Sequence, residues 1–132
     1  MNPAEAGSAD SQAFLAQVQR QCVPTFCPTL LLVEVAAAIA RALDGTGCAV
    51  ALATELRGLP NQTLVSLDEA LADRAADLAA TARLRGADAV YAAVAQQYGT
   101  TLVTLDRRQL ERLPPLVKTA RPADVLRAVA LS

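Results

Sequence analysis

A chain of 132 residues is one domain's worth, long enough to bury a core without disulfide or metal staples. With 53% hydrophobic but only 3% aromatic residues, that core must be built from Ala, Leu and Val, which suits helices packed closely on something flat. The net charge is −1, and the absence of histidine excludes Ser-His and Cys-His nucleophile pairs and leaves a zinc site without ligands.

The lead "MNPAEAGSADSQ", residues 1–12, lacks the basic and apolar stretches of a secretory signal, and the greasy run from Leu30 to Ala40 is too short to cross a bilayer. A soluble cytoplasmic protein of one domain, residues 1–132, is expected. Cys22, Cys27 and Cys48 form no C-x-x-C pair, and each is most simply a small core residue in a reducing compartment. Ser8 can cap a first helix that puts Phe14, Leu15 and Val18 on one face and ends near Gln21. "CVPTF" leans towards a strand, and Pro28 and Thr29 signal the start of the helix "LLLVEVAAAIARAL". "DGTG" at 44–47 breaks it, and a further helix, "CAVALATELRGL", runs to Pro60. "QTLVSL" then reads as a strand.

Ser66 and Glu69 have the spacing of a capping box for the helix "DEALADRAADLAATARL". An Ala-rich helix follows, stopped by Gly99, and then the strand "TTLVTL". "RRQLERL" is a polar helix halted by Pro114 and Pro115. "LVKTA" reads as an edge strand, and Pro122 opens a last helix. Alternating strands and helices predict an α/β domain with a mainly parallel sheet covered on both faces.

The chemistry left open is that of carboxylates. Glu34 is the only charge between Cys27 and Arg41, Asp88 opens an apolar helix, and Asp106 follows a strand, where ligands of open parallel sheets collect. Taken singly, each has a structural explanation: Asp88 and Asp106 as helix caps, Glu34 in an ion pair with Arg85 or Arg107. Taken together, clustered carboxylates repel unless a cation neutralises them, and oxygen-only ligation selects Mg²⁺ or Mn²⁺. Such an ion polarises phosphoryl oxygens and activates water. Arg83, Arg85, Arg107 and Arg108 would hold phosphates on the rim. Residues 83–132 carry eight basic and four acidic groups against four and nine in residues 1–82, an imbalance that fits either a polyanionic partner or a solvated surface.

"PTLLLVEVAAAIAR" and "LRGADAVYAAVAQQYGTTLVTLD", in that order, resemble the PIN domain, especially the VapC-type ribonuclease toxins of bacterial toxin-antitoxin pairs. The likeness runs from about Phe14 to Leu126. It implies a three-layer α/β/α sandwich that cleaves RNA, with Glu34, Asp88 and Asp106 as catalytic metal ligands and Thr104 as the hydroxyl beside the last of them. It also implies Mg²⁺ or Mn²⁺, an RNA substrate and an antitoxin partner, and a homodimer is expected. The family pattern begins with an apolar strand ending in an Asp, central in the sheet. No such run precedes the first helix here, and of the upstream acids Glu5 and Asp10 neither follows a strand. The expectation is therefore a sheet without its central strand, closed in some other way such as strand exchange with a second copy, and a site short of one ligand. A catalytically impaired module that binds protein or RNA is the alternative.

Overall fold

The computed structural model describes residues 13, 14, 16–43 and 46–131, and the side chains of residues 42, 43, 46–49, 52 and 128–131 are outside that description. The expected cap Ser8, the acids Glu5 and Asp10, Leu15 and the Cys48 side chain therefore fall outside the described residues.

A short helical segment, α1, covers residues 16–20, with Val18 half-buried. It leads into β1 (Thr25–Pro28), α2 (Leu30–Leu43), α3 (Thr46–Arg57), β2 (Gln62–Val65), α4 (Glu69–Ala82) and α5 (Gly86–Tyr98). After these come β3 (Leu102–Val103), α6 (Arg107–Arg112), β4 (Thr119–Ala120) and α7 (Pro122–Leu131). The predicted alternation of helix and strand is present, and both strand pairs are parallel, β1 with β2 and β3 with β4. The fold is mixed α/β, as the sequence implies.

The two pairs are separate sheets: among the described residues, no strand joins β1 to β3. "CVPTF" does give β1, but Pro28 closes that strand instead of opening the next helix. Pro28, which has no N–H, occupies a position that faces away from β2, and the next residue carries the ladder on, the Thr29 amide donating to the Val65 carbonyl at 3.0 Å. The strands predicted from "TTLVTL" and "LVKTA" shrink to two residues each.

Helix α4 opens differently from the expectation. Its N-cap is Asp68, whose carboxylate accepts the Leu71 amide at 2.8 Å. A tight turn in which the Asp68 amide donates to the Ser66 carbonyl puts Glu69 at the first helical position, so the box predicted from Ser66 and Glu69 does not form. Asp68→Ala should therefore cost about 0.5–2 kcal/mol in urea denaturation, while Ser66→Ala stays within about 0.5 kcal/mol of the parent.

Helix α5 is the centre of the core. Its Ala89, Val90, Ala93 and Val94 join Val65, Leu71 and Ala75 in one buried cluster, with Phe26 and Leu30 against it. Its Ala92 and Ala95 join Leu113 and Val117 in a second cluster, backed by Leu84 and Leu102. One helix thus supports both half-sheets, and its small residues let them approach closely. Gly99 ends it at φ +61°, in the left-handed region that glycine tolerates, with its amide donating to the Ala95 and Gln96 carbonyls. Tyr98 stacks on Phe26 of β1, ring centroids 4.2 Å apart.

Among the cysteines, Cys27 is buried as expected, and burial raises its thiol pKa. Cys22 is a correction: it is exposed, in a turn at φ 53°, because α1 ends before it and no core reaches that corner. No described helix is long and apolar enough to cross a membrane.

Candidate functional site

The buried polar side chains among the described residues, Asp88 and Gln109, come from the start of α5 and from α6, which follows β3. Asp88, in the first turn of α5, is 7% exposed. It is not the cap of that helix, since the N-cap position belongs to Arg85, which makes no side-chain capping bond. Instead its Oδ1 accepts a hydrogen bond from the Gln109 amide group at 3.1 Å. Gln109, buried at 8%, accepts in turn from the Thr104 hydroxyl at 2.6 Å. Buried polar groups are expensive unless partnered, and this relay partners three at once.

Asp106 sits at the outer end of the relay. Its Oδ1 accepts the Arg108 amide at 2.8 Å and the Gln109 amide at 3.3 Å, so it is the N-cap of α6. The capping explanation that was open for Asp88 and Asp106 therefore holds for Asp106 alone. Its own amide donates to Thr104 Oγ1 at 3.0 Å, which fixes the hydroxyl between the two elements. Asp106→Ala should lower stability by about 0.5–2 kcal/mol through loss of this cap, measurable by thermal unfolding.

Glu34 approaches from β1's side. Its surroundings are less apolar than the sequence suggests: Glu34 is exposed, and its neighbour Val33 is 65% exposed, because α2 buries only one of its faces. Neither Arg85 nor Arg107 pairs with it; Arg107 instead meets Glu111 at 4.0 Å on the surface. The nearest polar group of α5 is the Tyr91 hydroxyl, which is buried and has no hydrogen bond of full geometry. Burial first, then the Glu34 carboxylate beside it, with smaller contributions from Cys27 and Asp88, pushes the Tyr91 pKa well above its ordinary value. Glu34 and Tyr91 thus approach closely without a well-formed hydrogen bond.

Glu34, Tyr91, Gln109, Thr104 and Asp106 all line one slot, with Asp88 behind Gln109. The chain matches the family described as PIN domain over residues 4–114, most of its length. The chain belongs to the PIN domain family. No curated protein gave a significant match. The PIN domain is a nuclease-type fold, typically dependent on divalent metal ions and associated with RNA.

The donor chemistry of this PIN domain suits a hard cation, but the spacing does not. Among the described residues no three of His, Cys, Asp or Glu lie close enough together to hold a metal ion. Asp88 and Asp106 each commit an oxygen to a protein donor, and Glu34 stands apart beside Tyr91. As placed, the three carboxylates do not form a shared ion site. The four arginines are unevenly exposed: Arg83 and Arg85 are exposed before and at the start of α5, Arg107 is exposed on α6, and Arg108 is half-buried. Arg83 adopts φ 54° as the C-cap of α4, and its carbonyl accepts from the Arg112 guanidinium at 3.4 Å.

The residue that the sequence hides is Gln109. Its signal is positional: once Asp106 is the N-cap, Gln109 occupies the third helical position, where a Gln ordinarily reaches back to the cap's own amide. Here Thr104 has taken that amide, and the Gln109 side chain is released to partner Asp88.

Proposed function

We propose that this PIN domain acts on RNA as a VapC-like endoribonuclease, hydrolysing phosphodiesters with an activated water, with a cognate antitoxin occluding the site. The observation that supports it is that Glu34 and Asp106 line one slot, with Asp88 behind Gln109 and joined through it to Thr104. Arg83, Arg85, Arg107 and Arg108 would position phosphates by charge-assisted hydrogen bonds, without reading sequence. Mg²⁺ or Mn²⁺ dependence belongs to this reading, as do a single domain in the cytoplasm and a homodimer.

A second reading, a module that binds RNA or protein without cutting, is favoured by one specific feature: the carboxylates do not gather within ligand distance of one another. The two separate on a labelled single-stranded RNA incubated with the 132-residue chain, with Mn²⁺ or with a chelator, against Asp88→Asn. Mn²⁺-dependent cleavage that drops at least about a hundredfold in the variant, a change of about 2.7 kcal/mol in the barrier, supports the nuclease. Salt-sensitive RNA binding with no cleavage under any condition supports the binding module instead.

A further inference from the structure

Helix α2 divides lengthwise into two faces. Leu31, Leu32, Val35, Ala36, Ile39 and Ala40 are half-buried, while Val33, Glu34, Ala37, Ala38 and Arg41 are exposed. At about 100° per residue, the five exposed positions fall within a sector of roughly 140°, one continuous face. Three of those five are apolar, and Val33 is 65% exposed. A solvated helix face is ordinarily polar. We propose that this face docks on the same face of a second copy of the chain, the two α2 helices lying antiparallel about a two-fold axis that passes between Ala37 and Ala38.

Charge selects that arrangement. Glu34 and Arg41 are the only charged residues of α2, and neither is in an ion pair among the described residues. They do not reach each other within the helix, because seven residues separate their backbones by about 10.5 Å and side chains meet at spacings of three and four. Two turns apart, however, they stand almost in line, about 20° from each other around the helix axis. The axis between Ala37 and Ala38 lies midway between them. It therefore sets Glu34 of each copy against Arg41 of the other, and the two-fold symmetry makes that contact twice. A parallel pairing would set Glu34 on Glu34 and Arg41 on Arg41, which repels.

The middle of the face suits the same geometry. Between the two charges it presents only Ala37 and Ala38, whose methyls let two helices approach to the short end of the range for packed helices, about 8 Å between axes. Val33 is covered at each end of the contact. An unrelated occupant would need a base, two small residues and an acid in this spacing, and α2 supplies that pattern itself. One helix on one helix is a small contact, below the about 1,200 Å² of a stable specific interface, so association is weak and set by concentration. Because Glu34 also lines the slot beside Tyr91, self-association and the slot compete for one carboxylate. The proposal rests on the homodimer of the reading above and not on its ribonuclease activity.

Sedimentation equilibrium of the full chain over about a hundredfold range of concentration measures the association. The parent should pass from monomer towards dimer across that range. Glu34→Lys and Arg41→Glu each place like charges at both symmetric contacts, and each should weaken association about tenfold or more. The two substitutions combined re-form both pairs with their signs exchanged and should restore it, a recovery that misfolding could not produce. A chain that stays monomeric throughout would overturn this interface and the homodimer reading together. A dimer indifferent to the single reversals, or one that the double reversal fails to restore, would overturn this interface and leave the homodimer reading standing.

Discussion

Leu113→Ala should lower the free energy of unfolding by about 2–5 kcal/mol. Leu113 is 0% exposed and is the only large side chain among the described residues that is fully enclosed. It packs in the cluster with Ala92, Ala95 and Val117, and its backbone also closes the segment: its amide donates to the Gln109 carbonyl, and its own carbonyl accepts from Leu116 and Val117. Two of those neighbours are alanines on a rigid helix, and alanine has no side-chain rotamer with which to fill a void. The cavity therefore stays open and the cost belongs in the upper part of the range. Equilibrium urea denaturation checks it, with the midpoint falling and the slope unchanged. Against a total stability of about 5–15 kcal/mol for domains of this kind, one such change brings the protein close to unfolding.

Gln109 gives the second large effect, and the direction depends on what replaces it. Gln109→Leu keeps the bulk but removes the one side-chain donor to Asp88 among the described residues, and leaves the Thr104 hydroxyl without its acceptor. A loss of about 1–3 kcal/mol is expected, the penalty for a buried acceptor left unsatisfied. Gln109→Glu should be worse at neutral pH, because it sets two carboxylates at hydrogen-bond distance. In the folded variant the pair retains a proton that the unfolded chain has released, so folded protein binds more protons than unfolded and stability falls as pH rises. Denaturation at pH 4.5 and pH 7.5 distinguishes the two: the deficit of Gln109→Glu shrinks at the lower pH. If both variants unfolded like the parent, the relay would carry no stabilising role.

The elements that were legible in advance were those whose signal is local. Gly99 ends α5 where predicted, because a left-handed residue after an apolar helix is a property of a few adjacent residues. Helix α4 was legible as a helix, but its cap was not, since Ser66 and Asp68 are both good caps and a turn two residues long decided between them. The site was legible only by residue type. Glu34 is conspicuous in an apolar sequence, yet which face of α2 is covered is a tertiary fact, and the covered face is not the one that carries Glu34. The relay from Asp88 to Thr104 was invisible because Asp88 and Gln109 lie 21 positions apart and Gln109 reads as an ordinary surface glutamine. The slot has no local sequence signal. Its shape depends on β1 and β3 holding their places without a strand between them.

They hold their places because of α5. Among the described residues this helix supplies buried side chains to both clusters, and it meets them through alanines: Ala89 and Ala93 towards β1 and β2, Ala92 and Ala95 towards β3 and the segment that leads into β4. It works as a spacer bar whose thickness is a methyl group. Each of those methyls is a dial: enlarging Ala93 would push one pair outward, enlarging Ala95 the other, and the width of the slot would change without any alteration at the strands themselves. The spacing of the two strand pairs can then be retuned by substitutions in a helix that belongs to neither pair.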